Sequence, residues 1–280
     1  MKKIELIATA TFGLEAVVAR EVQDLGYETE VENARVIFQG DERAVCRSNL
    51  WLRSADRVLI RVGEFKALTF DELFEKTKAL PWADWLPENA SFPVEGKSVK
   101  SKLFSISDCQ AIVKKAIVES MKKKYHRKWF DETGPLYTIE VSLLQDVATL
   151  TIDTSGAGLH KRGYRKLSTS APLKETLAAA MINLSYWNSE RILFDPFCGS
   201  GTIPIEAALI GLNAAPGLHR EFAAESWLYL PQRFWSEARQ EAEDLIRRDL
   251  KLNIRGTDID PKVMSIARYH AKLAGVNDYV

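Results

Sequence analysis

The first 65 residues switch between the two hydrophobic periods that distinguish strands from helices. Apolar and polar residues alternate, as in half-buried strands, at residues 3–10, 27–32, 35–39 and 56–65. Apolar residues three and four apart predict a helix over residues 14–25, and residues 41–52 suit a second one. The order strand, helix, two strands, helix, strand predicts a ferredoxin-like domain of the α+β class over residues 1–65.

Residues 66–165 are predicted to form a second domain of the α/β type. Thr69 suits the N-cap of a helix that Pro81 ends. A proline-containing loop follows, after which Ser107 or Asp108 is predicted to cap a second helix. The apolar stripe of that helix consists of Ile112, Val113, Ala116, Ile117 and Met121. Two further strands are predicted, at residues 136–144 and 147–154.

Residues 166–280 follow a different pattern, because strands now alternate with helices. The predicted elements are a helix from Pro172, a strand at 191–195, a helix at 202–212, a strand at 252–258 and a helix at 261–274. Residues 214–250 interrupt this order as an excursion placed beside the functional site, with a helix at 235–250. The alternation predicts a Rossmann-like, doubly wound parallel sheet.

Composition excludes several classes of protein. With 46% hydrophobic and 27% charged residues, the chain is not disordered, collagen-like or a disulfide scaffold. No apolar run reaches the roughly 18 to 20 residues of a membrane helix, and the start turns polar too soon for a signal peptide, so we expect a cytoplasmic protein. Cys46, Cys109 and Cys198 lie far apart without histidines at ligand spacing, so neither disulfides nor a metal site are predicted.

Charge is unevenly distributed, although the 38 basic and 38 acidic residues cancel. Residues 97–128 contain ten basic and two acidic residues, and residues 160–174 contain five basic and no acidic ones. Such clusters are typical of nucleic-acid-binding proteins, although a solvated helix face gives the same pattern. Trp129 and Tyr164, which lie among them, could stack on bases or pack into the protein.

The sharpest motif is Asp-Pro-Phe-Cys-Gly-Ser-Gly-Thr at residues 195–202, between a predicted strand and a predicted helix. Glycines there permit a tight turn and the close approach of a nucleotide-like ligand to the helix start. The loop lacks a P-loop lysine, and Pro204 replaces the third glycine of the dinucleotide pattern. The next strand ends near Asp258, where a carboxylate can accept hydrogen bonds from both ribose hydroxyls. Asp195 can order the loop or receive a ligand ammonium.

Together these motifs resemble those of the S-adenosylmethionine-dependent RNA guanine-N2 methyltransferases that carry a THUMP domain. The matching segments are residues 159–165 (Leu-His-Lys-Arg-Gly-Tyr-Arg), 171–180, 195–202, 213–217, 220–222 and 256–261. Residues 159–165 are similar to the signature at the junction of the THUMP and catalytic domains in that family. The resemblance covers nearly the whole chain, and the bacterial large-subunit ribosomal RNA branch is the most similar.

The resemblance implies a THUMP RNA-binding domain at residues 66–165, the N-terminal part of a class I methyltransferase domain at 166–280, and S-adenosylmethionine as cofactor. It implies transfer to guanine N2 of 23S ribosomal RNA, with transfer RNA as the second substrate, and no metal. The implied cofactor-binding residues are Asp195, Phe197, Cys198, Gly199, Ser200, Gly201, Thr202, Asp258, Ile259 and Asp260. The candidates for phosphate contact are Lys97, Lys100, Lys102, Lys114, Lys122, Lys123, Lys124, Arg127, Lys161, Arg162 and Arg165.

In that family an Asn/Asp-Pro-Pro-Tyr/Phe loop after the fourth strand holds the target amine. The present sequence contains no such motif, so no catalytic residue is predicted. We expect the natural chain to continue about 100 residues beyond Val280, in line with ordinary domain size. Two other functions stay open: an RNA-binding protein with an incomplete catalytic domain, and a nucleotide-binding oxidoreductase, which leaves the basic domain unexplained.

Overall fold

The computed structural model describes residues 3–167 and 172–280, which divide into two compact units. The first unit combines the start of the chain, up to Ile7, with residues 58–156 and 222–232. The second combines residues 8–57, 157–221 and 233–280. Each unit is therefore assembled from three separate stretches of sequence.

The N-terminal elements follow the predicted order. They are β1 (Ile4–Thr9), α1 (Glu15–Asp24), β2 (Thr29–Glu32), β3 (Arg35–Gly40), α2 (Glu42–Trp51) and β4 (Arg57–Lys66). β2 and β3 form the predicted antiparallel hairpin, with Glu32 opposite Arg35 and Ala34 at a φ of 60° in the turn. The Asp41 carboxylate caps α2 by accepting a hydrogen bond from the amide of Ala44. The ferredoxin-like order is confirmed, and the β2–β3 hairpin lies in the second unit.

The first unit also contains the elements predicted for the THUMP-like region. They are α3 (Phe70–Lys78), β5 (Val94–Val99), α4 (Ile106–Tyr125), β6 (Ile139–Leu144) and β7 (Val147–Asp153). The strands of this unit run in the order β1-β4-β7-β6-β5. β7 is antiparallel to both of its neighbours, whereas β5 and β6 are parallel. The predicted stripe of α4 faces inward, with Val113, Ala116, Ile117 and Met121 fully buried.

Two features of this unit differ from the prediction. The sequence predicts no strand between the proline-containing loop and the second helix, whereas residues 94–99 form β5, whose residues alternate between half-buried and exposed. Gly96 and the polar side chains of this edge strand weaken the apolar signal, so the sequence pattern does not reveal it. The N-cap of α4 is Ser105 rather than Ser107 or Asp108, since the amide of Cys109 already bonds to the Ser105 carbonyl.

The second unit contains the alternating elements of the C-terminal region. They are α5 (Glu175–Leu184), β8 (Leu193–Asp195), α6 (Thr202–Gly211), α7 (Gln232–Asp244), β9 (Ile254–Gly256) and α8 (Pro261–Leu273). β8 and β9 pair in parallel, as predicted for a doubly wound sheet. α6 is apolar and almost wholly buried, and its Ile205 and Leu209 share a core with Ile254 and Ala271. That core fixes the start of α6 relative to the two strands.

The excursion between α6 and β9 departs from the prediction in two ways. α7 runs from Gln232 to Asp244 instead of residues 235–250, because the chain turns back and the amide of Arg247 donates to the carbonyl of Leu212 at 2.8 Å. Residues 222–232 belong to the first unit, whereas the rest of the excursion belongs to the second. There Trp227 stacks on Tyr137 with ring centroids 4.4 Å apart.

The predicted helix at Pro172 begins instead at Glu175, with Lys174 as its N-cap. Ala171, in the segment that resembles the methyltransferase family, lies outside the described residues. Over the described part of the chain, no helix combines the length and the apolar character needed to cross a membrane.

Candidate cofactor site and its buried support

The candidate site lies where two parallel strands end at the same edge. Asp195 closes β8 and is the register partner of Gly256, which closes β9. Asp258 follows two residues later, so both carboxylates belong to the carboxyl ends of neighbouring strands. This edge is where nucleotide-like ligands bind in doubly wound folds.

Hydrogen bonds hold the glycine loop, residues 196–201, in place. The Asp258 carboxylate accepts from the amide of Gly199 at 3.0 Å and from the amide of Asp260 at 3.0 Å. The amide of Cys198 donates to the carbonyl of Thr257 at 2.9 Å, and the Asp195 carboxylate accepts from the amide of Phe197 at 3.1 Å. Asp258 therefore ties the loop to the second strand. An ionised carboxylate has about four acceptor positions, so it retains acceptor positions for a ligand.

Two glycines of the loop occupy backbone regions that other residues rarely adopt. Gly199 has a φ of 54° and Gly201 a φ of 84°. A side chain at Gly199 would meet nothing within 4 Å, so the space in front of the loop is open. A Cβ at Gly201 would instead lie 3.2 Å from Cβ of Ala267, which shows how closely the loop approaches α8.

Cys198 is a packing residue of this loop. It is buried, and its Cβ and Sγ lie 3.0 Å from the position that a Cβ on Gly256 would occupy. Burial, followed by the charges of Asp195 and Asp258, raises the pKa of the Cys198 thiol to about 11. The thiol is therefore protonated at neutral pH, which rules it out as an activated nucleophile.

Two apolar side chains of the predicted site point into solvent. Phe197 is 87% exposed and Ile259 is 99% exposed, and they flank the loop and Asp258 respectively. Exposed apolar groups beside carboxylates match the chemistry of an adenosine, which has an apolar ring face and two ribose hydroxyls. Ser200 and Thr202 are buried in the loop and the first turn of α6. Asp260 caps α8 by accepting from the amide of Lys262 at 2.8 Å.

The loop is supported from behind by Arg165, one of the residues predicted to contact RNA phosphate. Its guanidinium donates to the hydroxyl of Thr202 at 2.8 Å and to the carbonyl of Leu173 at 2.7 Å. Its Nε lies 3.4 Å from the Glu175 carboxylate, which is almost fully buried. Burial raises the pKa of Glu175, and the charge of Arg165 opposes that rise. The Arg165 guanidinium is thus already hydrogen-bonded at the start of α6.

Arg162, a second predicted phosphate contact, lies in the interior. Its side chain is 3% exposed, it donates to the carbonyls of Leu159 and Arg53, and its guanidinium lies 3.5 Å from the Glu206 carboxylate. Tyr164 is buried beside it and donates to Glu206 at 3.0 Å. Arg162 is therefore no phosphate contact in this structure, and Tyr164 is no base platform, because both side chains are buried and hydrogen-bonded inside the protein.

This buried cluster contains charged residues that sequence reasoning missed. Arg53 is buried between Glu206 and Glu21, and burial lowers the pKa of its guanidinium to about 10. Burial raises the pKa of Glu21, which accepts from the amides of Arg53 and Ser54. One signal was available: Glu206 is the single charged residue of an otherwise apolar helix. A charge in such a position needs an internal partner.

His270 links the cluster to the glycine loop. It is fully buried, its Nε2 accepts from the amide of Leu167 at 3.3 Å, and its Nδ1 lies 3.3 Å from the carbonyl of Ser200. Since an amide can only donate, the ring proton is on Nδ1 and the imidazole is neutral. Burial lowers the pKa of His270, which agrees with that state.

The remaining predicted phosphate contacts lie mainly on the first unit and are mostly exposed. Lys100, Lys102 and Lys123 are exposed, as is Lys161 in the second unit. Four others form ion pairs: Lys97 with Glu140, Lys122 with Glu119, Lys124 with Asp84 and Arg127 with Glu88. Lys114 is half-buried, and its ammonium donates to Glu132 at 2.6 Å and to the carbonyl of Phe92 at 2.9 Å. Lys114 therefore serves packing rather than an exposed basic surface.

Comparison with known proteins assigns three domain types to the chain. Family models match an RlmL ferredoxin-like domain at residues 5–59, a THUMP domain at 67–153 and an RMKL-like methyltransferase domain at 162–280. A Bacillus subtilis (strain 168) protein named "Putative RNA methyltransferase YpsC" is 56% identical over an alignment of 282 residues that covers all of this chain and 73% of that one. The chain belongs to the THUMP-domain RNA methyltransferases of the RlmL type.

Solved structures support this family and its cofactor. A Listeria monocytogenes str. 4b F2365 protein, described as a predicted N6-adenine-specific DNA methylase, is 61% identical with a TM-score of 0.98, covering all of this chain and 74% of that one. SMU.472, crystallised with S-adenosylhomocysteine (SAH), is 48% identical with a TM-score of 0.95, covering 100% and 74%. The cofactor of this RlmL-type methyltransferase chain is S-adenosylmethionine. Among the described residues, no group of three or more histidines, cysteines and carboxylates is placed to hold a metal ion.

Proposed function

We propose that this protein transfers a methyl group from S-adenosylmethionine to the exocyclic N2 amine of a guanine in 23S ribosomal RNA. The observation that carries the proposal is the presence of a carboxylate-edged glycine loop in one unit and an exposed lysine cluster on α4 in the other. A substrate of this kind would place the reaction in the cytoplasm. The proposed domain boundaries are 1–65, 66–165 and 166–280.

The cofactor would be held by the ten predicted residues of the two strand ends. Asp258 would accept hydrogen bonds from the ribose hydroxyls, and Asp195 would receive the ammonium group or keep the loop in place through the amide of Phe197. Phe197 and Ile259 would cover the faces of the adenine. The sulfonium of the bound cofactor supplies an electrophilic methyl, so the protein mainly orients the groups and excludes water.

RNA would be held first by its phosphates. The exposed Lys100, Lys102, Lys123 and Lys161, together with Lys97, Lys122, Lys124 and Arg127, would neutralise phosphates and release counterions. The ion pairs that four of these residues form lie at the surface, where such pairs contribute only about 0 to 1 kcal/mol. Exchange of a carboxylate for a phosphate is therefore inexpensive. Contacts of this kind position the RNA without reading its sequence.

Two other substrates follow from specific observations. Transfer RNA shares the phosphate chemistry that the lysines recognise. Adenine N6 in DNA is the substrate named for the 61% identical Listeria protein, and it is also an exocyclic amine. These substrates are separated by incubating the complete gene product and radiolabelled S-adenosylmethionine with ribosomal RNA, transfer RNA or DNA, and identifying the methylated base. Label on any base other than guanine in ribosomal RNA would overturn the finer proposal.

Substitution Asp258→Ala tests the cofactor site. The variant loses two charge-assisted hydrogen bonds to a ribose, each worth about 1.5 to 3 kcal/mol, so SAH affinity should fall by roughly 100-fold or more. Isothermal titration calorimetry measures that affinity, and NAD should not bind to either protein. Asp249→Ala, at an exposed carboxylate of the same unit, is the matched control.

RNA affinity serves as the second readout of the same variant. Because the phosphate contacts lie elsewhere, Asp258→Ala should bind RNA as the unchanged protein does, which also reports that the variant is folded. If SAH binding survives the substitution, the assignment of Asp258 is wrong. NAD binding in place of SAH would favour the oxidoreductase alternative instead.

A further inference from the structure

We infer that Trp129 and the concave surface beside it bind one unpaired base of the RNA substrate by stacking. This inference rests on the proposed RNA substrate and adds a subsite to it. The surface encloses about 430 Å³ and is lined by residues 87–89, Arg127 and residues 129–131 of the first unit. That volume is within the range of small-molecule sites and is sufficient for a nucleotide.

Trp129 is placed as an accessible platform. Its side chain is 78% exposed, whereas the neighbouring Phe130 is 8% exposed and packs edge-on against Tyr125 with ring centroids 6.2 Å apart. The two adjacent aromatic residues therefore have opposite roles. Phe130 anchors the segment, and the indole of Trp129 is left in solvent, where a large apolar ring gains nothing unless a ligand covers it.

The walls of the surface are held by hydrogen bonds. The hydroxyl of Tyr125 donates to the carbonyl of Leu86 at 2.7 Å, and the amide of Gly134 donates to the carbonyl of Asn89 at 2.7 Å. Glu132 accepts from the amide of Phe92 at 3.1 Å and from the ammonium of Lys114 at 2.6 Å. The walls beside the indole, fixed in this way, lose little conformational freedom when a base binds.

Charge identifies the occupant as a nucleotide rather than an apolar peptide. The chain from Lys122 to Lys128 carries five lysines and arginines and leads directly into Trp129. One of them, Arg127, lines the surface and pairs there with Glu88. These cations suit the backbone of a polyanion. The side-chain amide of Asn89 and the carboxylate of Asp131 line the surface as donors and acceptors for the edge of a base. Aromatic stacking beside a basic track is the general mode of binding single-stranded nucleic acid.

The test compares two RNA hairpins with the complete chain. One carries a short single-stranded extension, and the other carries the same extension with abasic nucleotides, so that the phosphates are equal and the bases are absent. Fluorescence anisotropy should show that Trp129→Ala weakens binding of the first hairpin by about 5- to 150-fold, the range for one stacked base. Trp129→Phe should retain most of the affinity, because a smaller ring still stacks.

Two controls separate stacking from charge. The abasic hairpin should bind Trp129→Ala and the unchanged protein equally, and the loss with the first hairpin should be the same at every salt concentration. Phe104→Ala, at a second exposed aromatic residue of the same unit, should not change either affinity.

The outcomes distinguish the inference from the function on which it rests. Equal affinity of Trp129→Ala and the unchanged protein for the first hairpin would overturn the stacking site while leaving RNA as the substrate. A loss of equal size on the abasic hairpin would also overturn it. Failure of the unchanged protein to bind either hairpin would refute the RNA substrate, and the subsite with it.

Discussion

Two basic stretches of this chain look alike in sequence and have opposite places in the structure. Residues 122–129 comprise the end of α4 and the segment that follows it, and their lysines and Trp129 are exposed or paired only at the surface. Residues 159–165 also combine cations with an aromatic ring, yet Arg162 and Tyr164 are buried and Arg165 is bonded to the start of α6. Partners elsewhere in the chain, above all Glu206, decide the difference. A run of cations thus identifies a nucleic-acid surface only when the fold leaves those cations without internal acceptors.

The largest expected effect on stability comes from a substitution in residues 159–165, several of whose side chains point into the protein. Arg162→Ala leaves Glu206 buried beside fewer donors, and removing one partner of a buried ion pair costs about 3 to 5 kcal/mol of unfolding free energy. Urea titration followed by circular dichroism measures this loss. Lys161→Ala, at the exposed neighbour, should stay within about 0.5 kcal/mol. Equal stability of the two variants would contradict the interior role of Arg162.

A smaller effect, on RNA binding, is expected from substitutions in the mostly exposed residues 122–129. Replacing Lys122, Lys123 and Lys124 by glutamine should leave stability nearly unchanged and weaken RNA binding several-fold. The slope of log affinity against log salt should become shallower by roughly 0.7 to 0.9 for each phosphate that the variant no longer neutralises. A control with the same change in charge replaces Lys251, Lys262 and Lys272 in the second unit. An unchanged salt slope in the α4 variant would remove this helix from the RNA surface.

The smallest expected effect is a pH dependence of stability that comes from His270, whose ring lies beside that of the buried Tyr164. The folded pKa of His270 lies below its unfolded value of about 6.5, so the folded state binds fewer protons between the two values. Its contribution to stability is therefore complete above pH 6.5 and is lost as the pH falls through the folded pKa. Protonation also removes the acceptor of the Leu167 amide, worth about 1 kcal/mol.

Denaturant titrations at pH 7.5 and 5.5 measure this dependence. His270→Gln should show a smaller loss on acidification than the unchanged protein, whereas His219→Gln, at an exposed histidine, should not. Burial raises the pKa of Glu21 and Glu175, which gives a contribution of opposite sign that weakens as the pH rises from about 4.5. Both variants retain that contribution, so the comparison isolates His270.

Much of the fold could be predicted, because its elements carry strong local signals. The change from a period of two to a period of 3.6, and the cap at Thr69, mark the elements of residues 3–78. β5 could not be predicted because the contacts that form it are not local in sequence. It lies at the edge of the sheet and pairs with β6, some forty residues later. The end of α7 could not be predicted either, because the hydrogen bond from the Arg247 amide to the Leu212 carbonyl is a tertiary contact.

The residues of the candidate site also separate into those that local sequence predicts and those that only tertiary contacts determine. The positions of Asp195 and Asp258 follow from two short motifs, each at the end of a strand, so spacing alone brings them to one edge. The roles of Arg162 and Arg165 do not, since their acceptors at Glu206 and Thr202 are about forty residues away. Sequence gives the charge of a side chain, whereas only the assembled core determines whether that charge is already satisfied.

The insertion between α6 and β9 bears on how this protein can be divided. Trp227 packs on Tyr137, its indole nitrogen donates to the carbonyl of Leu136 at 2.9 Å, and Tyr229 packs against Trp85. A gene fragment ending near residue 156 would carry Tyr137 and Trp85 but not the aromatic residues that cover them. A truncation that ends before residue 222 therefore cannot yield an intact first unit. Exchanging THUMP regions between relatives would require transplanting residues 222–232 as well.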